Sequence, residues 1–153
     1  MEKINTYEID WTIIAQGFGL PVDKTIEMFN DGRILGRLGE FLHQNSNDGM
    51  RENENSPFDI KEKNNTNSEV RTITSQVSFA PSKEVGYGRK VTEQGFLEKL
   101  TSVDQFILID KRLIEEGILK MIKLTKEDVR KLPLGKNKSI SSKKFYKEYD
   151  GNK

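Results

Sequence analysis

The chain has 153 residues, 34% of them hydrophobic and 32% charged, with a formal net charge of +1 and a mean hydropathy of −0.69. That is the size of one domain with a modest core and a large share of surface or loop. The absence of cysteine excludes disulfides, thiolate metal centres and cysteine nucleophiles, and the single histidine, His43, excludes a site that needs two imidazoles from one chain.

An enzyme of this composition must work with carboxylates, hydroxyls, lysines or arginines. No apolar run approaches the roughly 18 residues of a membrane-spanning helix. The opening Met1-Glu2-Lys3-Ile4-Asn5 lacks the apolar core of a secretion signal, so the expected location is cytoplasmic, away from membranes. Charge is unevenly distributed. Residues 1–70 hold 7 Lys/Arg against 13 Asp/Glu, and residues 111–153 hold 13 against 6. A carboxylate-rich first half beside a basic end suggests a polyanion partner, set against the alternative of a lysine-rich solvated surface.

In chain order, Asp10 is an N-cap for a helix over Trp11 to Gln16, broken by Gly17 and Gly19 and turned by Pro21. Asp23 can cap a second helix, Lys24 to Phe29, which Asn30-Asp31-Gly32 interrupts. Arg33 to Gln44 is the clearest helix, with Ile34, Leu35, Leu38, Phe41 and Leu42 on one stripe and Glu40 outside it. Gly36 and Gly39 each disfavour that helix by about 1 kcal/mol relative to alanine, which points to close approach of another backbone or a nucleic acid. His43, near the end of this helix, reads as a surface or capping residue. Residues 45–55 read as a mobile polar loop.

Phe58 to Lys63 reads as a strand, Asn64-Asn65-Thr66-Asn67 as a turn, and Glu69 to Phe79 as a return strand rich in β-branched residues. A Gly/Pro-punctuated loop, 80–91, follows. Thr92 caps a helix over Phe96 to Leu100. Gln105 to Asp110 is a continuous apolar run of strand length, expected to be buried on both faces. Ile118 to Leu124 is a further strand, and Thr125 caps a short helix, Lys126 to Lys131. Residues 134–153 form a basic tail in which Phe145, Tyr146 and Tyr149 can dock on the body. The expected fold class is α/β, a mixed central sheet flanked by helices, in one domain: a helical region 1–45, a core 56–124 and the tail 134–153.

Strand alternation puts Glu69, Arg71 and Ile73 on one face. A tight turn at 64–67 would bring Asp59 beside Glu69 across the hairpin. Two such carboxylates repel unless a cation bridges them, and hard oxygen donors suit Mg²⁺. An exposed hairpin with ordinary surface charges is the bland alternative.

Pro57-Phe58-Asp59 followed by Glu69-Val70-Arg71 resembles the PD-(D/E)XK nuclease superfamily. So does the setting, with a preceding helix that carries Glu40 and an apolar strand at Phe106–Ile109. The resemblance covers roughly residues 33–124. The segments 78–83 and 86–90 bring it nearest to the small type II restriction endonucleases. It implies a restriction-endonuclease-like core and Mg²⁺-dependent hydrolysis of double-stranded DNA, with Asp59, Glu69 and Arg71 catalytic and Asp59, Glu69 and Glu40 binding the metal. It further implies a homodimer and, within a restriction system, a cognate DNA methyltransferase. Two departures stand out. The spacer is Pro-Phe-Asp rather than Pro-Asp, and Arg71 replaces the lysine, so it cannot act as a general base. Lys83, Arg89 and Lys90 of the loop, with Lys143 and Lys144 of the tail, are the candidate DNA contacts. A structure-selective repair or recombination nuclease and a non-catalytic DNA-binding protein on the same scaffold are the alternative readings.

Overall fold

Phe106, Ile107, Leu108 and Ile109 are all fully buried, because their strand runs through the middle of the sheet with helices on both sides. Around it the computed structural model, which describes residues 1–52 and 55–151, builds these elements. They are β1 (Glu2–Glu8), α1 (Trp11–Phe18), α2 (Val22–Phe29), α3 (Gly32–Asn47), β2 (Met50–Arg51), β3 (Ile60–Lys61), β4 (Asn67–Thr72) and β5 (Gln76–Ser78). A short 3₁₀ turn (Ser82–Glu84) follows, then α4 (Glu93–Ser102), β6 (Gln105–Asp110), β7 (Ile118–Thr125), α5 (Lys126–Lys131), β8 (Ser139–Ser141) and α6 (Ser142–Gly151). Residues 53 and 54 of the expected polar loop and 152 and 153 of the basic tail lie outside the described residues.

The central sheet has the order β1-β7-β6-β4-β3-β2. β4 and β6 are parallel and are joined by a crossover that contains α4; the other neighbours are antiparallel. β5 and β8 form a separate two-stranded sheet. Among the described residues this is an α/β fold with a mixed six-stranded sheet and six helices.

Alternation along β4 and β6 divides the core in two. Val70, Ile107 and Ile109 face α1 and α3 with Trp11, Leu35 and Met121. Phe106 and Leu108 face α4, α5 and α6 with Phe96, Leu100, Val129, Phe145 and Tyr149. Helix α3 lies close against the sheet at Gly39, where an added Cβ would sit 2.2 Å from Ile109 Cδ1. The close approach at this glycine is to the side chains of Ile109 and Val70, not to the backbone or nucleic acid expected there.

Three helix starts follow the capping chemistry read from the sequence. Asp10 accepts from Ile13 N, Thr92 from Gly95 N, and Thr125 forms a full capping box with Asp128. Asp31 caps α3 through Arg33 N and Ile34 N.

Several expectations are corrected. The first 45 residues are not wholly helical, because Glu2–Glu8 is an edge strand on β7. α2 begins at Val22 behind Pro21, so Asp23 lies in its first turn rather than capping it. The loop expected from residue 45 begins later, since α3 runs to Asn47 and β2 follows. The expected strand 58–63 shrinks to two residues, and the return strand breaks after Thr72, with β5 leaving for the second sheet. The final segment docks on the body through its aromatic residues as expected, but it does so as regular elements that were not expected. β8 and α6 are ordered elements, and Phe145 and Tyr149 are core residues.

Candidate active site

β3 pairs with β4 through only two positions, Ile60 with Ser68 and Lys61 with Asn67. One position further along this register stands Asp59 opposite Glu69, at the point where the chain bends out of the sheet. The peeling strand leaves the Val70 N–H without a ladder partner. The Asp59 side chain takes that place, its Oδ2 accepting from Val70 N at 2.7 Å. Asp59 is thus pinned to the strand that carries Glu69.

Because Val70 faces α3, strand alternation turns Glu69 and Arg71 towards α4. Glu69 is only 4% exposed. Its Oε1 accepts from Arg71 Nη2 at 2.6 Å, and its Oε2 is 2.8 Å from Lys99 Nζ, which comes from the middle of α4. Lys99 is 8% exposed and also donates to Pro57 O at 2.7 Å. Arg71 Nη2 donates to Ala80 O at 3.2 Å, and its Nε is buried without a partner.

These groups shape one another. Burial, then the negative charge of Glu69, pushes the Asp59 carboxyl up to about 6; Glu40 adds to the rise, while the Val70 N–H and Arg71 oppose it. Burial also pushes Lys99 below the usual lysine range, offset by Glu69 and reinforced by Arg71. Asp59, Glu69 and Lys99 line a cleft of about 410 Å³, with Pro81, Ser82 and Lys83 on another wall.

Of the expected site residues, Asp59, Glu69 and Arg71 come together, joined by Lys99, which the sequence reading did not single out. The signal for it was present: Phe96, Lys99, Leu100 and Val103 share one core-facing stripe, where a lysine is seldom left unpaired. Glu40 is close enough to act on Asp59 electrostatically, but its Oε2 is held by Arg51 Nη2 at 3.0 Å and by Arg37 Nη1 at 3.4 Å. Among the described residues no group of three or more His, Asp or Glu is placed to hold a metal ion. Of the three expected metal carboxylates, Asp59 and Glu69 line the cleft. Asp59 is the better prepared of the two, since no cation pairs directly with it, whereas both oxygens of Glu69 are engaged.

His43 is corrected from surface to core. It is buried, with Nε2 2.5 Å from Glu62 Oε1, and Glu62 in turn accepts from Ser68 Oγ and Gln105 Nε2. This network lies on the α3 side of β4, opposite the face of Glu69, and ties α3 to β4 and β6.

The expected DNA contacts divide. Lys83, Lys90, Lys143 and Lys144 are exposed, and Lys83 lines the cleft. Arg89 is exposed but turns back on its own loop, its Nη1 donating to Ser82 O and Val85 O. Among the described residues no helix is long and apolar enough to cross a membrane. No protein-family model, curated protein or solved structure matches the chain.

Proposed function

We propose that the chain is a Mg²⁺-dependent endonuclease that hydrolyses phosphodiester bonds of double-stranded DNA, in the manner of a type II restriction enzyme. The observation that carries this reading is the meeting of Asp59, Glu69 and Lys99 in one cleft, with Arg71 paired to Glu69. Asp59, Glu69 and Lys99 stand around a space that a phosphate can enter, and Lys83 lines it as well.

Asp59 and Glu69 would hold the ion, with water completing its shell. The bound ion would supply a Lewis acid to the phosphoryl oxygen and a more acidic water. Glu40 would join it only by giving up Arg51. Lys99, buried and held below the usual lysine range, would be the residue to take the proton of the attacking water, the general-base role that Arg71 cannot perform. Arg71, with its unpartnered Nε, would stabilise the added charge on the phosphate. Cutting both strands of a symmetric site with one centre per chain calls for a homodimer. The exposed Ile13, Phe18, Val22 and Met28 on α1 and α2 are apolar surface available for it. A cognate methyltransferase would accompany a restriction role.

One observation favours a second reading, a DNA-binding protein without catalysis: Glu69 is already neutralised by two cations. Incubation with long unmethylated DNA and Mg²⁺ separates the readings. Discrete fragments support a restriction enzyme and a smear supports a less selective nuclease. Intact DNA, from a preparation that nonetheless binds it, leaves the binding protein. Asp59→Ala must abolish any cleavage seen.

A further inference from the structure

Among the described residues Tyr87 is the most exposed large hydrophobic side chain, at 107%, well beyond Met50 at 68%. It sits between Gly86 (φ +127°) and Gly88 (φ +74°). A Cβ at Gly88 would meet nothing within 4 Å and one at Gly86 only Arg89 Cδ at 3.8 Å, so the glycines serve the backbone path rather than packing.

The loop behind this tip is tied down at several points. At its start, Ala80 O accepts from Arg71. Glu84 Oε1 accepts from both N and Oγ1 of Thr92, the N-cap of α4. The same carboxylate packs on Gly95, where a Cβ would fall 1.8 Å from Glu84 Oε2. Arg89 closes the turn from inside through Ser82 O and Val85 O. The anchors are therefore the strand that bears Arg71 and the helix that bears Lys99. Glu84 is the loop's only acid and is spent on Thr92, while Lys83 and Lys90 remain exposed.

We propose that Tyr87 is a base-stacking contact to nucleic acid, presented by this preorganised cationic loop. The substrate class rests on the nuclease reading; the contact rests on the loop. An aromatic ring held on a fixed turn loses little entropy on stacking, and every base offers it a π-face. Lys83 and Lys90 would meet the adjacent phosphates.

Fluorescence anisotropy with short fluorescein-labelled oligonucleotides, single-stranded and duplex, tests this in excess EDTA, where no metal-dependent cleavage intrudes. Tyr87→Ala is expected to weaken binding about tenfold, within the range for loss of one stacked base. Tyr87→Phe should bind as the parent does. Tyr87→Trp should bind as well and add tryptophan emission that the oligonucleotide quenches, while Trp11 stays buried. Unchanged affinity in Tyr87→Ala, or unquenched emission in Tyr87→Trp, overturns the proposal. Loss of affinity in Lys83→Ala with none in Tyr87→Ala also overturns it, by leaving phosphate contact alone. Lack of cleavage with Mg²⁺, with these binding differences intact, would remove the nuclease reading and leave the contact standing.

Discussion

Lys99 Nζ lies 2.8 Å from Glu69 Oε2, across from Arg71 on the other oxygen of the same carboxylate. The two cations arrive by different routes, one along the strand and one from the helix of the crossover. Lys99→Ala is expected to lower the cleavage rate by about a hundredfold or more, the scale for removing a positioned polar group in the transition state. Mg²⁺ affinity, measured by calorimetry, should not fall, because the variant removes a competitor for Glu69. A wild-type cleavage rate in Lys99→Ala would sink its assigned role.

In the proposed mechanism Arg71 has an electrostatic part, so its charge would matter more than its shape. Arg71→Lys should retain measurable cleavage and Arg71→Ala should lose it. Rate assays on plasmid substrate check both, and full activity in the alanine variant would count against the assignment.

Asp59 sets a pH window. Its folded-state pKa, about 6, lies above the usual carboxylate value, so the fold favours the protonated form. Stability from this group is greatest below about pH 4 and is lost as pH rises through about 6. Asp59→Asn should therefore raise stability near neutral pH by on the order of 1 kcal/mol while abolishing cleavage. Wild-type metal binding, which needs the carboxylate, should weaken below about pH 6. Thermal melts at several pH values and Mg²⁺ titrations read the two effects separately. A lower melting temperature for Asp59→Asn at neutral pH would contradict the first.

Gly39 and Gly95 are placed where nothing larger fits. Gly39→Ala should destabilise by about 1–3 kcal/mol in urea unfolding, since its Cβ would overlap Ile109. Gly95→Ala should displace Glu84 and loosen the loop of 81–92, seen as faster proteolysis there at little change in overall stability. Unaltered proteolysis would show that Glu84 does not hold that loop.

What the sequence disclosed depended on how local its cause was. The caps at Asp10, Thr92 and Thr125 and the apolar run of β6 act within a few residues and were legible. The edge strand β1 was not. Ile4 and Tyr7 both pack towards the core though three residues apart, because a register shift between Lys3 and Asn5 breaks the period of two. His43 was misplaced because polarity was weighed over position: it follows Leu35 and Gly39 at four-residue spacing along the buried ridge of α3. In the candidate site, Asp59 and Glu69 were found from their spacing about the turn. Lys99 joins them only through the packing of the crossover helix.

β8 and α6 close the chain against β5 and the α4 side of the sheet. Tyr146 donates to Asp110 Oδ1 at 2.9 Å and lies under Arg112, which also grips Asp110 and Asp150. Phe145 stands in the same core as Phe96 and Phe106. Lys143 and Lys144 are thus mounted on a wall of the building. Truncating the last twenty or so residues would strip the support from the helix that delivers Lys99, so loss of DNA binding in such a deletion would report collapse. Charge reversal at Lys143 and Lys144, with the aromatic anchors kept, is the operation that asks about the surface alone.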